Sequence, residues 1–207
     1  RIDETAARGA PLFEDPTVPS GHDDEEGASM PAEPIPLHEL NALDREHFVA
    51  ALATLFEGPP WIVAELWARR PFASVQELYE AACAIMWAAP EGSQLELLRA
   101  HPDLVGRAAL AGTLSRPATA EQSAAGLDRL TADEIGTFTR YNAAYRERFG
   151  FPFIVCAREN TKDSILDGFA TRLPNTRERE IATALGEVAK IAALRLRDLV
   201  ADDPPVA

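Results

Sequence analysis

Ser74-Val75-Gln76-Glu77-Leu78-Tyr79-Glu80-Ala81-Ala82-Cys83-Ala84-Ile85-Met86-Trp87-Ala88 opens on a hydroxyl, carries a carboxylate three positions on, and then repeats apolar residues at helical spacing. In such a capping box the hydroxyl satisfies one orphan backbone N–H while the carboxylate reaches back to another, so the stretch predicts a helix over 74–88. The same Ser/Thr-x-x-Glu/Gln signature stands at Ser93…Glu96, Thr119…Gln122 and Thr131…Glu134. One box alone says little; four in close succession, each followed by apolar residues three and four apart, decide for helices.

Working outward, helices are predicted over 42–57, 61–69, 74–88, 93–100, 103–112, 119–127, 131–148, 162–173 and 176–200. The first is to bury Phe48, Leu52, Leu55 and Phe56, and the last Ile181, Leu185, Val188, Ile191, Leu194 and Leu199. Breaks fall at Gly58-Pro59-Pro60, Pro71, Pro90, Pro117, Gly150-Phe151-Pro152 and Pro174, where helix cannot continue or Pro sets its start. Only Phe153-Ile154-Val155-Cys156 has strand-like composition, and with nothing to pair against it reads as a buried extended segment. The expectation is an all-α single domain over 37–201 with about eight or nine helices, followed by a tail over 202–207.

Residues 1–36 differ from the rest. They hold nine Asp or Glu against Arg1 and Arg8, so more than half of the net charge of −13 is local to them. Rich in Pro, Gly and acid, they have too little apolar area to offset the entropy of ordering, and a disordered extension is expected. The chain begins with Arg1 while Met30 precedes the first patterned segment, so residues 1–29 read as an appended remnant, a start placed too far upstream, or the end of a fused domain. The acidic balance speaks against nucleic acid as a partner, since phosphate binding needs clustered Lys and Arg. No apolar run approaches the length of a membrane span, and neither the acidic start nor the Pro204-Pro205-Val206-Ala207 end is a targeting signal, which leaves the cytoplasm as the expected location. Cys83 and Cys156 sit in apolar contexts and read as core residues rather than ligands or a disulfide.

The chemistry-bearing residues are few. No histidine stands at metal-ligand spacing, no Gly-rich phosphate loop is present and there is no nucleophile elbow, so no metal and no organic cofactor is expected. His22, His38 and His47 read as solvated. His101 stands at a helix end directly before Pro102, which biases it to an extended backbone and puts an imidazole on a rigid corner; Asp103 is then placed to cap the next helix. If Thr119 is an N-cap, Glu121 and Gln122 occupy the first turn, where free N–H groups and the dipole favour an anionic or carbonyl-rich ligand; the same residues could equally serve only the cap. The extended segment after Phe149-Gly150-Phe151-Pro152 has backbone groups that serve either a ligand or helix ends and water.

Taken in order, His101-Pro102-Asp103-Leu104, then Glu121-Gln122 ahead of Ala125-Gly126-Leu127, then Phe149-Gly150-Phe151-Pro152-Phe153-Ile154 resemble the OHCU (2-oxo-4-hydroxy-4-carboxy-5-ureidoimidazoline) decarboxylase family. Glu57-Gly58-Pro59-Pro60-Trp61-Ile62, Arg70-Pro71-Phe72 and Leu194-Arg195-Leu196 extend the resemblance over roughly residues 38–200. It implies an all-helical homodimer without a cofactor that decarboxylates OHCU to S-allantoin in urate breakdown. By matching positions it implies His101 as the catalytic histidine and Glu121 as tied to catalysis. Pro102, Glu121 and Gln122 follow as substrate contacts, and Phe153, Ile154, Val155, Cys156 and Ala157 as a backbone platform for ureido and ring groups. Arg195 is implied as partner of the substrate carboxylate. The family commonly has serine where this chain has Ala118, so a hydroxyl contact is lost at that substrate position unless Thr119 or Ser123 replaces it. The alternatives are a non-catalytic helical binding protein on the same fold and an enzyme acting on another small ureido or carboxylate compound.

Overall fold

The computed structural model describes residues 33–204, and the predictions for residues 1–32, His22 among them, and for the last three residues lie outside them. In chain order it places β1 (Ile35–Pro36), α1 (Leu37–Ala42), α2 (Arg45–Ala51), α3 (Trp61–Trp67), α4 (Val75–Ala88), α5 (Glu91–Ala100), α6 (Arg107–Leu110), α7 (Arg116–Ala124), α8 (Ala132–Phe149), a 3-10 turn (Ala157–Glu159), α9 (Lys162–Arg172), α10 (Arg177–Leu199) and β2 (Val200–Ala201). The architecture is helical, as expected. None of the described helices is long and apolar enough to cross a membrane.

Two of the four capping boxes form caps. Ser74 accepts from Glu77 N–H at the start of α4, and Thr131 with Glu134 makes the full reciprocal box of α8. α5 instead starts after Pro90 with no side-chain cap, which puts Ser93 inside the helix. α7 starts after Ser115, whose hydroxyl accepts from Ala118 N–H, so Thr119 lies inside it and turns its hydroxyl back to Ser115 O at 3.0 Å.

Two expected elements differ and one pairing was not expected. The predicted helix over 42–57 is only α2, which starts at Arg45 because Asp44 caps it by accepting from His47 N–H and ends at Ala51, while α1 lies ahead of the predicted span and stops before extended Leu43. The predicted helix over 103–112 shrinks to the single turn α6: Leu104 O and Val105 N–H are taken by the side chains of Asn142 and Gln122, and Val105 has φ +54. A β-branched residue in that region costs of order 1–3 kcal/mol and interrupts a helix. Finally, β1 and β2 pair in parallel, Ile35 with Val200 and Pro36 with Ala201, so the folded unit begins ahead of the boundary drawn at residue 37.

α10 is the long element against which α4 and α5 pack, and α3 packs in turn on α4. Its inner stripe runs Ile181, Ala184, Leu185, Val188, Ile191, Ala192 and Leu196, the spacing of an amphipathic helix. α8 carries Phe138, Tyr141, Tyr145 and Phe149 into an aromatic cluster with Phe151, Phe153 and Phe169, in which Phe153 and Phe169 stack at 3.9 Å. Burying each such ring contributes about 1.5–3 kcal/mol, enough to hold an extended segment that has no sheet to join. Residues 153–156 are that segment, running from Phe153 in the cluster to Cys156, whose N–H meets Glu187 of α10.

Candidate active site

The backbone at the end of α5 turns as the His-Pro pair dictates. His101 is the C-cap, with φ −69 and ψ 141, and its side chain is buried at 6% exposure. Ring Nδ1 lies 2.9 Å from Leu97 O. A carbonyl only accepts, so Nδ1 carries the hydrogen, and in the neutral ring the lone pair is on Nε2. Burial lowers the pKa of His101 below its ordinary value, opposed by the Leu97 bond and by Glu57, so the imidazole is neutral at pH 7. The chain beyond it is fastened at three points. Asn142 Nδ2 donates to Leu104 O at 2.7 Å, Val105 N–H donates to Gln122 Oε1 at 3.1 Å, and Arg146 Nε donates to the Asp103 carboxylate at 2.8 Å. Asp103 therefore pairs with α8 rather than capping a following helix.

A cavity of about 400 Å³, counting its open mouth, lies beside this corner. Its lining brings together His101, Pro102, Ala118, Glu121, Gln122, Phe153, Ile154, Val155, Ala157 and Arg195, with Glu57, Leu104 and Ile191. Cys156 is not on the lining: it is buried, burial pushes its thiol up to about 11, and its N–H donates to Glu187 Oε2 on α10 at 2.8 Å.

Arg195 is the centre of charge. Its Nε and Nη2 hold both oxygens of Glu121 at 2.7 and 2.8 Å, Nη2 also meets Glu57 at 3.0 Å, and Nη1 donates to Thr54 O at 3.0 Å. Burial opposes its charge, but the two carboxylates outweigh this and hold its pKa above the ordinary value. A guanidinium has five N–H hydrogens, so one on Nη1 is left for a ligand unless Glu57 gives way. Glu121 makes no hydrogen bond to His101 and acts on it only through its field. Nor is Glu121 in a first turn, since α7 begins five residues earlier.

Gln122 works at both ends: Oε1 holds the Val105 N–H, and Nε2 has no hydrogen-bond partner among the described residues. Thr119 and Ser123 lie off the cavity, so neither replaces a hydroxyl at Ala118. Glu57 is the site residue that the sequence reading did not single out. Its signal was Gly58: with φ +84 and room for no Cβ (one would lie 2.6 Å from that of Ala100), Gly58 lets the chain press against the end of α5 beside His101. Among the described residues no three His, Cys, Asp or Glu side chains converge as metal ligands.

A family model described as OHCU decarboxylase matches residues 41–197. A protein of Halalkalicoccus jeotgali named 2-oxo-4-hydroxy-4-carboxy-5-ureidoimidazoline decarboxylase is 39% identical over 163 residues, 79% of this chain and 90% of that protein. One of the same name from Mus musculus is 41% identical over 162 residues, covering 78% and 91%. Among solved structures, that of an (S)-allantoin synthase superposes with a TM-score of 0.64 at 28% identity, over 81% of this chain and 54% of the other.

Proposed function

Since the chain belongs to the OHCU decarboxylase family, we propose that the cavity beside His101 is where it decarboxylates 2-oxo-4-hydroxy-4-carboxy-5-ureidoimidazoline to S-allantoin in urate degradation. The observation that carries the site assignment is a buried, neutral imidazole whose Nδ1–H is committed to Leu97 O, leaving Nε2 as a base on the cavity wall.

The chemistry follows from the substrate. The bond from the ring carbon to its carboxylate breaks and CO2 leaves. The electron pair moves toward the neighbouring C=N, whose nitrogen takes up a proton, and an enol remains. The enol loses its hydroxyl proton and gains one on the adjacent carbon. His101 Nε2 takes the hydroxyl proton and returns one to that carbon from a single face, which makes one enantiomer. A neutral imidazole with its lone pair on Nε2 suits both steps. Gln122 Nε2 and the backbone N–H groups of Val155 and Ala157, both on the cavity lining, receive the ureido and ring carbonyls. The substrate carboxylate meets Arg195 through the remaining Nη1 hydrogen or by displacing Glu57, the more weakly held of its two partners. Glu121 keeps Arg195 in place.

The test is a circular-dichroism time course on freshly generated OHCU. Wild type should produce optically active allantoin rapidly. His101→Ala should remain folded and lose at least about a hundredfold in turnover, the lower end of what a positioned acid–base group contributes. Turnover near wild type in His101→Ala would remove His101 from the mechanism, and only a racemic background from wild type would sink the whole assignment. The proposal includes a cytoplasmic homodimer, and sedimentation at twice the 22.5 kDa chain mass checks the dimer.

A further inference from the structure

Glu180 is a fully buried carboxylate to which the reaction assigns no task. Around it, Tyr145 donates its hydroxyl, Arg172 donates Nε at 2.8 Å and brings Nη2 to 2.6 Å, and Asn175 donates Nδ2 at 2.6 Å. Arg172 is the member of this network that reaches outward. Its Nη1 donates to Ile154 O at 2.8 Å, and its guanidinium carbon stands 4.3 Å from the centre of the Phe153 ring, whose stacking on Phe169 completes the grip. Phe153 and Ile154 are cavity-wall residues, so a buried ion pair from α9 and α10 holds the wall of the site.

The peptide joining Ile154 to Val155 is planar and trans, so its C=O and N–H point in opposite directions. With the carbonyl on Arg172, the Val155 N–H is turned away from the network. That N–H has no hydrogen-bond partner among the described residues, and Val155 lines the cavity. We propose that Arg172, oriented by Glu180, is a positioning residue that locks the 154–155 peptide so that Val155 N–H is presented to a carbonyl acceptor of the bound substrate. This rests on the functional reading above for the identity of the ligand, though not for the geometry of the lock.

The experiment compares Arg172→Met, Arg172→Lys and Tyr145→Phe by steady-state kinetics and by the backbone 15N shift of Val155, which senses the bond on the preceding carbonyl. Losing one well-aimed neutral donor should raise KM about tenfold in Arg172→Met with kcat little changed. A purely structural role would lower the folded fraction, and with it apparent kcat, at constant KM. Arg172→Lys keeps one cation for either Ile154 O or Glu180, and a smaller rise in KM is expected; this variant carries the test if Arg172→Met does not fold. Tyr145→Phe removes a donor from Glu180 and the long 3.4 Å bond from Arg172 Nη2 while leaving the Arg172 Nη1–Ile154 bond, and should leave KM and the Val155 shift as in wild type. Unchanged KM in the folded Arg172 variants overturns the proposal. If wild type does not turn over OHCU, the functional reading fails instead, and the shift alone decides: it must move in the Arg172 variants and stay in Tyr145→Phe.

Discussion

The burial that keeps His101 neutral has a consequence in two observables. A histidine whose folded pKa lies below its unfolded value near 6.5 binds fewer protons folded than unfolded in between, so stability is fully present above about pH 6.5 and is lost as pH falls toward the lower folded value. The same neutral form is the base, so the acid limb of kcat/KM should lie below about pH 6.5 rather than at it. A limb at or above 6.5 would mean that the ring titrates as if solvated, and the assigned base would fail. The reason His101 stood out in the sequence is local: a following proline dictates its backbone. Glu57 and Arg195 are different. Each becomes a site residue only because the chain after α2 presses against α5 and the last turns of α10 arrive beside it, and no spacing encodes that approach. The first-turn reading of Gln122 does not hold: it lies beyond the first turn of α7, and what places it is the Val105 N–H on its Oε1.

At the scale of elements, a sequence signature for a cap is only a candidate, because an upstream residue can start the helix first. Pro90 does so for α5 and Ser115 for α7, whereas Thr131 is the true start of α8. Thr131→Ala should therefore cost about 1 kcal/mol and Ser93→Ala close to nothing. Thermal or urea melts of the two variants check this, and equal losses would show that the caps are misassigned. The Thr131 box also responds to acid. Lys162, followed by the Thr131 N–H and hydroxyl, lowers the pKa of Glu134 to about 2. A depressed carboxylate contributes its stability above the unfolded value near 4.5 and loses it as pH falls toward 2. The penalty of Thr131→Ala should accordingly shrink in part through that window, since the mutation and the proton both act on the bond from the Thr131 hydroxyl to the Glu134 carboxylate. The elements that escaped the sequence reading, α1 and the shortened α6, are each a turn or two long, too short for a hydrophobic period to register and settled by side chains from elsewhere.

At the scale of the whole molecule, the two ends of the described chain close on each other. Ile35 and Pro36 pair with Val200 and Ala201, His38 meets Asp203 through its backbone N–H at 3.0 Å and through its ring, and Asp202 accepts from Val75 N–H at 2.8 Å at the start of α4. Helical periodicity locates α10 and its buried stripe, and with them the architecture, but a parallel pair of two-residue strands joins residues more than 160 apart and leaves no periodic trace. The boundaries drawn at 37 and 201 cut through this closure. A fragment spanning 37–201 lacks the pair and both aspartates, while one spanning 33–204 keeps them. At about 0.5–1.5 kcal/mol per net hydrogen bond, loss of the strand pair and the Val75–Asp202 bond should cost the shorter fragment roughly 1–2 kcal/mol. For a domain of this size that is about 2–8 °C in Tm. The loss should also depend on pH. The Asp203 partner raises the pKa of His38, so its share is present below the unfolded value and disappears as pH rises through the folded one. The two fragments should therefore differ more at pH 6 than at pH 9. KM should be the same for both, because no closing residue lines the cavity. Equal melting at pH 6 would mean that the ends meet without holding the fold, whereas a changed KM would mean that the closure sets the position of Arg195, two turns away on α10.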